Sequence, residues 1–313
     1  MEKAIGIDLG GTNIKLAVCA WPDGDVLENY IMPTSDGKVQ KGTDPPWLEA
    51  IRAKVNSLES SWGYKAKAVG LCAPGIADKG STCITCLPGR LGGIEGLDWT
   101  QALARQNKAT VLNDAHAALL GEIWKGGAKG QENVLLLTLG TGVGGAAVVG
   151  GKLLTGHIGR GGHFGHISLD PEGSRDCVGT PGSLEDAVGE CTLPARSQNR
   201  FNNTLALVEA HVAGDDVARS IFLRSIRALA AGICSLVNAL DPSVVLLSGG
   251  ITKAGETLLL PLREELDKIE WRPGGARVEV RIAEHQEWAG AYGALYRSLD
   301  LNGMLGIRRE ERF

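Results

Sequence analysis

The sequence predicts an α/β fold assembled from two related halves, and three observations predict it. Short β-rich apolar runs alternate with stretches of helical periodicity. Glycine is abundant, at 44 of 313 residues, and it gathers in clusters beside those runs. One pattern also occurs twice: IGIDLGGTNIKLAVC near the N-terminus and LLLTLGTGVGGAAVV in mid-chain. Each copy is an apolar strand, a Gly/Thr turn and a returning apolar strand. A repeated supersecondary unit indicates a duplicated architecture, with the two turns expected to face each other across a central cleft.

The elements follow in order. Ala4–Asp8 and Lys15–Ala20 flank Leu9-Gly10-Gly11-Thr12-Asn13 and read as an antiparallel pair. Over 47–62, Trp47, Leu48, Ile51, Val55 and Leu58 form one helical stripe. Ala68–Cys72 is a strand ending in Ala73-Pro74-Gly75. Thr100–Gln106 reads as helical, and Thr110–Leu112 as a short strand. Asp114 is placed to cap a helix that runs to about Lys125, before Gly126-Gly127. The second hairpin takes Asn133–Leu139, the turn Gly140-Thr141-Gly142-Val143-Gly144-Gly145, and Ala146–Val149. Ile221–Leu240 is a long apolar helix and Val244–Leu247 a strand; Ser248-Gly249-Gly250 then turns into another helix. Arg277–Ala283 reads as a strand and Trp288–Leu299 as a final helix. The charged tail IRREERF (307–313) is expected to fray.

Composition bounds the function. The chain is 43% hydrophobic and 22% charged, as expected of a globular protein with ample core. Its length suits one large domain or two ordinary ones. The expected division is a small lobe over 1–112, completed by the C-terminal helix, and a large lobe over 113–313. A net charge of −4 argues against broad nucleic-acid binding. No apolar run is expected to reach membrane-spanning length, and MEKAIGIDLG lacks a signal-peptide core. Seven cysteines, an odd number, lie partly in apolar segments and suggest reduced thiols in the cytoplasm. Cys83-Ile-Thr-Cys86 has redox spacing but lacks the helix start that would activate it.

The glycine turns carry the chemistry. In Asp8-x-Gly10-Gly11-Thr12-x-x-Lys15, backbone amides and a hydroxyl can hold phosphate oxygens, and Asp8 can hold Mg²⁺ directly or through water. Gly140-Thr141-Gly142-x-Gly144 offers a second cradle. Either turn alone is more simply an ordinary hairpin. Two related turns in two related halves favour a nucleoside triphosphate. Neither is a P-loop, because GxxxxGK[ST] does not occur.

The ordered set DLGGTNIK, Pro74-Gly75, LNDAHAALLGE (112–122), TLGTGVGGAAVVGGKLLTGHIGRGGHFGHISLD (138–170) and LSGGIT (247–252) resembles the ROK-family sugar kinases. These belong to the actin-like, ribonuclease H-like ATPase superfamily. The resemblance spans nearly the whole chain, from Ile5 to about Leu299. It implies ATP-dependent phosphorylation of a sugar hydroxyl, most often O6 of a hexose with glucose as the default. It implies ATP in the cleft, Mg²⁺, and a homodimer or homotetramer. Asp8, Gly10, Gly11, Thr12 and Lys15 match the first phosphate loop. Gly140, Thr141, Gly142 and Gly144 match the second, and Gly249 and Gly250 the adenosine motif. Asp114 occupies the catalytic-base position, although as residue type alone it is as easily a helix cap. Asn113, Gly75, His166 and Glu185 fall at sugar positions. A non-catalytic sugar or nucleotide sensor of the same fold is the main alternative. An actin-like ATPase with a protein partner is a third.

Two departures bear on the substrate. His163 replaces the family's sugar-binding Glu, exchanging an acceptor for a group that also donates. At TCLPGR (85–90), Cys86 stands for an Asn and Arg90 for a Trp. The three cysteines of the family's zinc motif are replaced by Asp176, Val178 and Ser183, so structural zinc is not expected. Arg90, His163 and Arg160 raise the option of a more acidic or differently substituted sugar.

Overall fold

The computed structural model describes residues 2–37 and 43–305. The tail 307–313 therefore lies outside the described residues. The chain forms two compact units. One comprises 1–129, 155–161 and 287–313; the other comprises 130–154 and 162–286.

The first unit opens with β1 (Glu2–Leu9) and β2 (Asn13–Trp21), the expected antiparallel hairpin. An edge strand not foreseen, β3 (Val26–Pro33), pairs with β2. Helix α1 (Pro46–Trp62) starts with proline in its first turn and stops at Gly63 in a left-handed conformation, where glycine carries no steric cost. It buries the expected stripe, and Trp47 packs on Trp99 at 5.8 Å between ring centroids. Then come β4 (Val69–Ala73), the small hairpin β5 (Ile76–Ala77) and β6 (Ile84–Cys86), and α2 (Trp99–Ala102). The helix expected over 100–106 is thus a single turn. Asp98 caps it, Ala104 has φ 47°, and Arg105 is drawn away to the buried Glu59. β7 (Thr110–Asn113) leads into α3 (Asp114–Lys125). The sheet order is β3-β2-β1-β4-β7, with β1, β4 and β7 parallel.

The second unit repeats this plan. β8 (Val134–Leu139), β9 (Val143–Val149) and β10 (Lys152–Leu153) are antiparallel. The short helices α4 (Leu184–Val188) and α5 (Leu193–Arg196) precede α6 (Thr204–Val212) and α7 (Asp216–Leu240). β11 (Val244–Ser248), α8 (Glu256–Ile269) and β12 (Glu279–Ile282) complete it. The order β10-β9-β8-β11-β12, with β8, β11 and β12 parallel, reproduces the first sheet strand for strand. Against expectation, α7 is long and apolar enough to cross a membrane by length and composition. Its buried face, including Phe222, Ile226, Leu229 and Ile233, belongs to the second unit's core.

The chain returns to the first unit with α9 (Ala289–Leu301). Here glycines permit backbone-to-backbone contact. A methyl group at Gly6, Gly70, Gly121 or Gly293 would strike a carbonyl of α9 or, for Gly293, that of Ala117 in α3. This packing places α3 in the first unit, so the boundary falls after Lys129 rather than at the expected residue 112.

Candidate active site

In the first unit, the carboxyl ends of β1, β4 and β7 lie side by side. Register sets Asp8 beside Cys72, and Ala73 beside Asn113. This end of a parallel sheet is where α/β folds bind ligands. Burial first, and then the charge of Asp114, raise the Asp8 carboxyl to about 6, against the opposing pull of Lys15 and of the Cys72 thiol. Cys72 Sγ donates to Asp8 Oδ1 at 3.5 Å. A buried carboxyl with a second carboxylate acting on it offers oxygen donors suited to a hard divalent cation, so the residues fit Mg²⁺.

Asn113 caps α3, in place of the expected Asp114. Its Oδ1 accepts from the amides of Ala115 (3.0 Å) and His116 (3.2 Å), and its Nδ2 donates to Gly75 O at 3.0 Å. Asp114 Oδ1 accepts from the Ala115 amide at 2.8 Å, and the exposed Asp114 side chain sits in the first turn, where the helix dipole favours negative charge. Gly75 has φ 97° and lies 2.6 Å from Cys86 O by its missing Cβ, so glycine is required there. His116 Nε2 donates to Gly161 O at 2.8 Å, tying α3 to segment 155–161.

The first glycine turn is held from β3's end. Thr34 Oγ1 donates to Gly10 O at 2.7 Å, and Thr34 N to Thr12 O at 2.9 Å. Lys15, expected at the phosphates, instead donates from Nζ to Glu287 O at 3.0 Å and faces the Glu287 carboxylate at 3.6 Å. The cation against this turn is Arg90: a methyl at Gly11 would strike its Nη2.

In the second unit, the turn after β8 is braced by Glu190 N donating to Gly140 O (3.0 Å) and Cys191 N to Thr141 O (2.8 Å). Glu185 Oε2 accepts from Val143 N at 2.9 Å and fills the space beside Gly142. Gly144 lies opposite Thr138 in the hairpin. Gly249, at φ 93°, passes so close to Leu139 O that no side chain fits, and Gly250 begins a 3₁₀ turn. The structure thus brings together the second turn, Gly249 and Glu185.

His163 precedes the 3₁₀ turn Phe164–His166 and is half-buried. His166 Nδ1 donates to Asp176 Oδ2 at 2.8 Å. Burial would raise Asp176, but the His166 bond and the amides of Thr180 and Val178 outweigh it and hold the carboxyl at about 2. Asp176, standing where the zinc motif has cysteine, is therefore the hub of its own turn. His166, Cys177 and Glu185 bring three ligand atoms within 4.8 Å of one another. Burial, and then the bond to Glu185 at 3.3 Å, push the Cys177 thiol up to about 11. One imidazole, one thiol and one carboxylate are three ligands and do not complete the closed four-ligand N/S set of structural zinc.

The sequence reading missed Thr34, because β3 was not foreseen, and the bracing by Glu190 and Cys191, because backbone donors leave no residue-type signal. It misplaced the cap of α3.

The chain matches the ROK family over residues 4–300. A glucokinase of Thermotoga maritima is 33% identical, covering 93% of this chain and 96% of that protein. The crystal structure of a ROK hexokinase from Thermus thermophilus superposes with TM-score 0.78 at 31% identity, over 96% of this chain and 99% of that one. A ROK glucokinase from Streptomyces griseus, in complex with glucose and AMPPNP, gives 0.75 at 28% identity, over 95% and 99%. These likenesses identify the twin sheets as the duplicated α/β fold of the actin-like ATPases.

Proposed function

The chain belongs to the ROK family, and from that membership we propose that it is an ATP-dependent sugar kinase acting on a hexose hydroxyl, O6 of glucose by default. The observation that carries the reading is the placement of Asp114 and Asp8 at one sheet end, beside a glycine turn. A sugar hydroxyl is a weak nucleophile. Asp114, one carboxylate oxygen of which accepts from the Ala115 amide, accepts the hydroxyl proton on the other as the sugar oxygen attacks the γ-phosphorus. The new O–P bond forms while the bond to the ADP oxygen breaks. Mg²⁺, held by Asp8, supplies charge neutralisation when bound. The amides of Gly10, Gly11 and Thr12, and of Gly140, Thr141, Gly142 and Gly144, orient phosphate oxygens. Gly249 and Gly250 leave room for the adenosine. His166 and Glu185 bind sugar hydroxyls, with His163 altering the pattern they can satisfy. Asn113 acts through its cap, which orients Asp114, and not as a freely turning sugar ligand. Structural zinc has no part in this reading, since Asp176 organises the turn that zinc would hold.

Homodimer or homotetramer assembly rests on the family resemblance alone, and a cytoplasmic location on seven free thiols. A coupled ADP-release assay over hexoses, amino sugars and sugar acids tests the reading. Sugar-dependent ADP with stoichiometric sugar phosphate supports it. Binding without turnover favours a sensor, and sugar-independent hydrolysis favours an ATPase.

A further inference from the structure

Beside the first glycine turn lies a cavity of about 810 Å³, lined by segment 87–95 with Asp36 and Gly37. Three charged residues line it, and two are committed. Asp36 Oδ2 accepts from Leu91 N at 3.0 Å, and Glu95 Oε1 accepts from Leu87 N. These carboxylates fold the segment and do not pair with Arg90. Among the described residues Arg90 has no ion-pair partner, and its Nη2 rests against Gly11. Lys15, the cation that the sequence pattern offers to this turn, is spent on Glu287. A planar guanidinium set beside open backbone, in a cavity whose carboxylates are occupied, is arranged to receive an oxyanion in two-pronged fashion.

We propose that Arg90 is a catalytic residue that contacts the phosphoryl group in transfer at the Gly10-Gly11-Thr12 turn, taking the place Lys15 does not fill. This rests on the kinase reading above. Charge on the transferring oxygens grows toward the transition state, so Arg90 acts on turnover more than on sugar affinity. An anionic substituent on the acceptor sugar is the competing source of the oxyanion.

The test compares wild type with R90A and R90K. Arg90 is exposed and unpaired, so both variants should fold, as a thermal melt would verify. Expected are a kcat lower by about 10²-fold in R90A, partial recovery in R90K, and an unchanged KM and calorimetric Kd for the sugar. Unchanged kcat would overturn the assignment. So would a loss confined to KM for acidic sugars, which would make Arg90 a reader of the acceptor. If wild type transfers phosphate to no sugar, the kinase reading fails by itself. Arg90 is then judged on binding of AMPPNP against ADP: a preference for AMPPNP that R90A loses supports the contact, and equal preference in both proteins overturns it.

Discussion

Replacing Asn113 by alanine separates two roles that the sequence could not. If Asn113 is the α3 cap, the change removes the acceptor for the His116 amide, one of the two acceptors for the Ala115 amide, and the donor to Gly75 O. A lost cap costs about 1 kcal/mol. A half-buried carbonyl left without its donor costs about 1 kcal/mol more. The expected loss is about 2 kcal/mol in the sugar-free protein, read from the urea midpoint at constant m value. Asn113→Asp keeps an acceptor for the helix amides but loses the donor to Gly75, so about half of that loss is expected. Turnover should fall in N113A because the turn that carries Asp114 loosens. Wild-type stability in N113A, with only KM for sugar raised, would refute the cap and restore Asn113 as a direct sugar ligand.

Two further outcomes follow from packing and charge. Asp8 is raised to about 6, so the native state holds a proton that the unfolded chain releases near 3.8. The contribution of Asp8 to stability without divalent cation should therefore fall as pH rises from about 4 to about 6 and then level off. The drop is about 1–2 kcal/mol once the water reaching this half-buried carboxylate is counted. The difference between denaturation curves of wild type and D8N across that window checks this, and a difference that does not change with pH would contradict it. Gly293→Ala drives a methyl into the Ala117 carbonyl and must part α9 from α3, at about 3 kcal/mol or more. Gly140→Ala meets open space and should leave the melting temperature unchanged. Equal melting temperatures for both variants would disprove the packing argument.

The duplication was legible because each copy announces itself locally, as apolar strand, glycine turn and apolar strand. The two sheets then share one order. β3 was not legible. It is an edge strand whose residues alternate between half-buried and exposed, with Glu28 and Asn29 among them, so its apolar signal is weak. The unit boundary was hidden because α3 is claimed by α9, more than 160 residues later, through glycine contacts that no window detects. Asn113 and Asp114 are equally good caps by type. The choice falls to the residue with extended backbone at the end of β7, which is Asn113 with ψ 146°. Lys15 fitted its motif, but its partner, Glu287, comes from the far end of the chain.

The central claim is that Asp114 accepts the proton of the attacking hydroxyl. The direct measurement is kcat of Asp114→Asn with the best sugar and ATP, beside calorimetric affinities for both. Asn113 and not Asp114 caps α3, so the variant keeps its fold. The account predicts retained sugar and AMPPNP binding with kcat lower by about 10²–10⁴-fold. Near-normal kcat in a folded Asp114→Asn protein would contradict it.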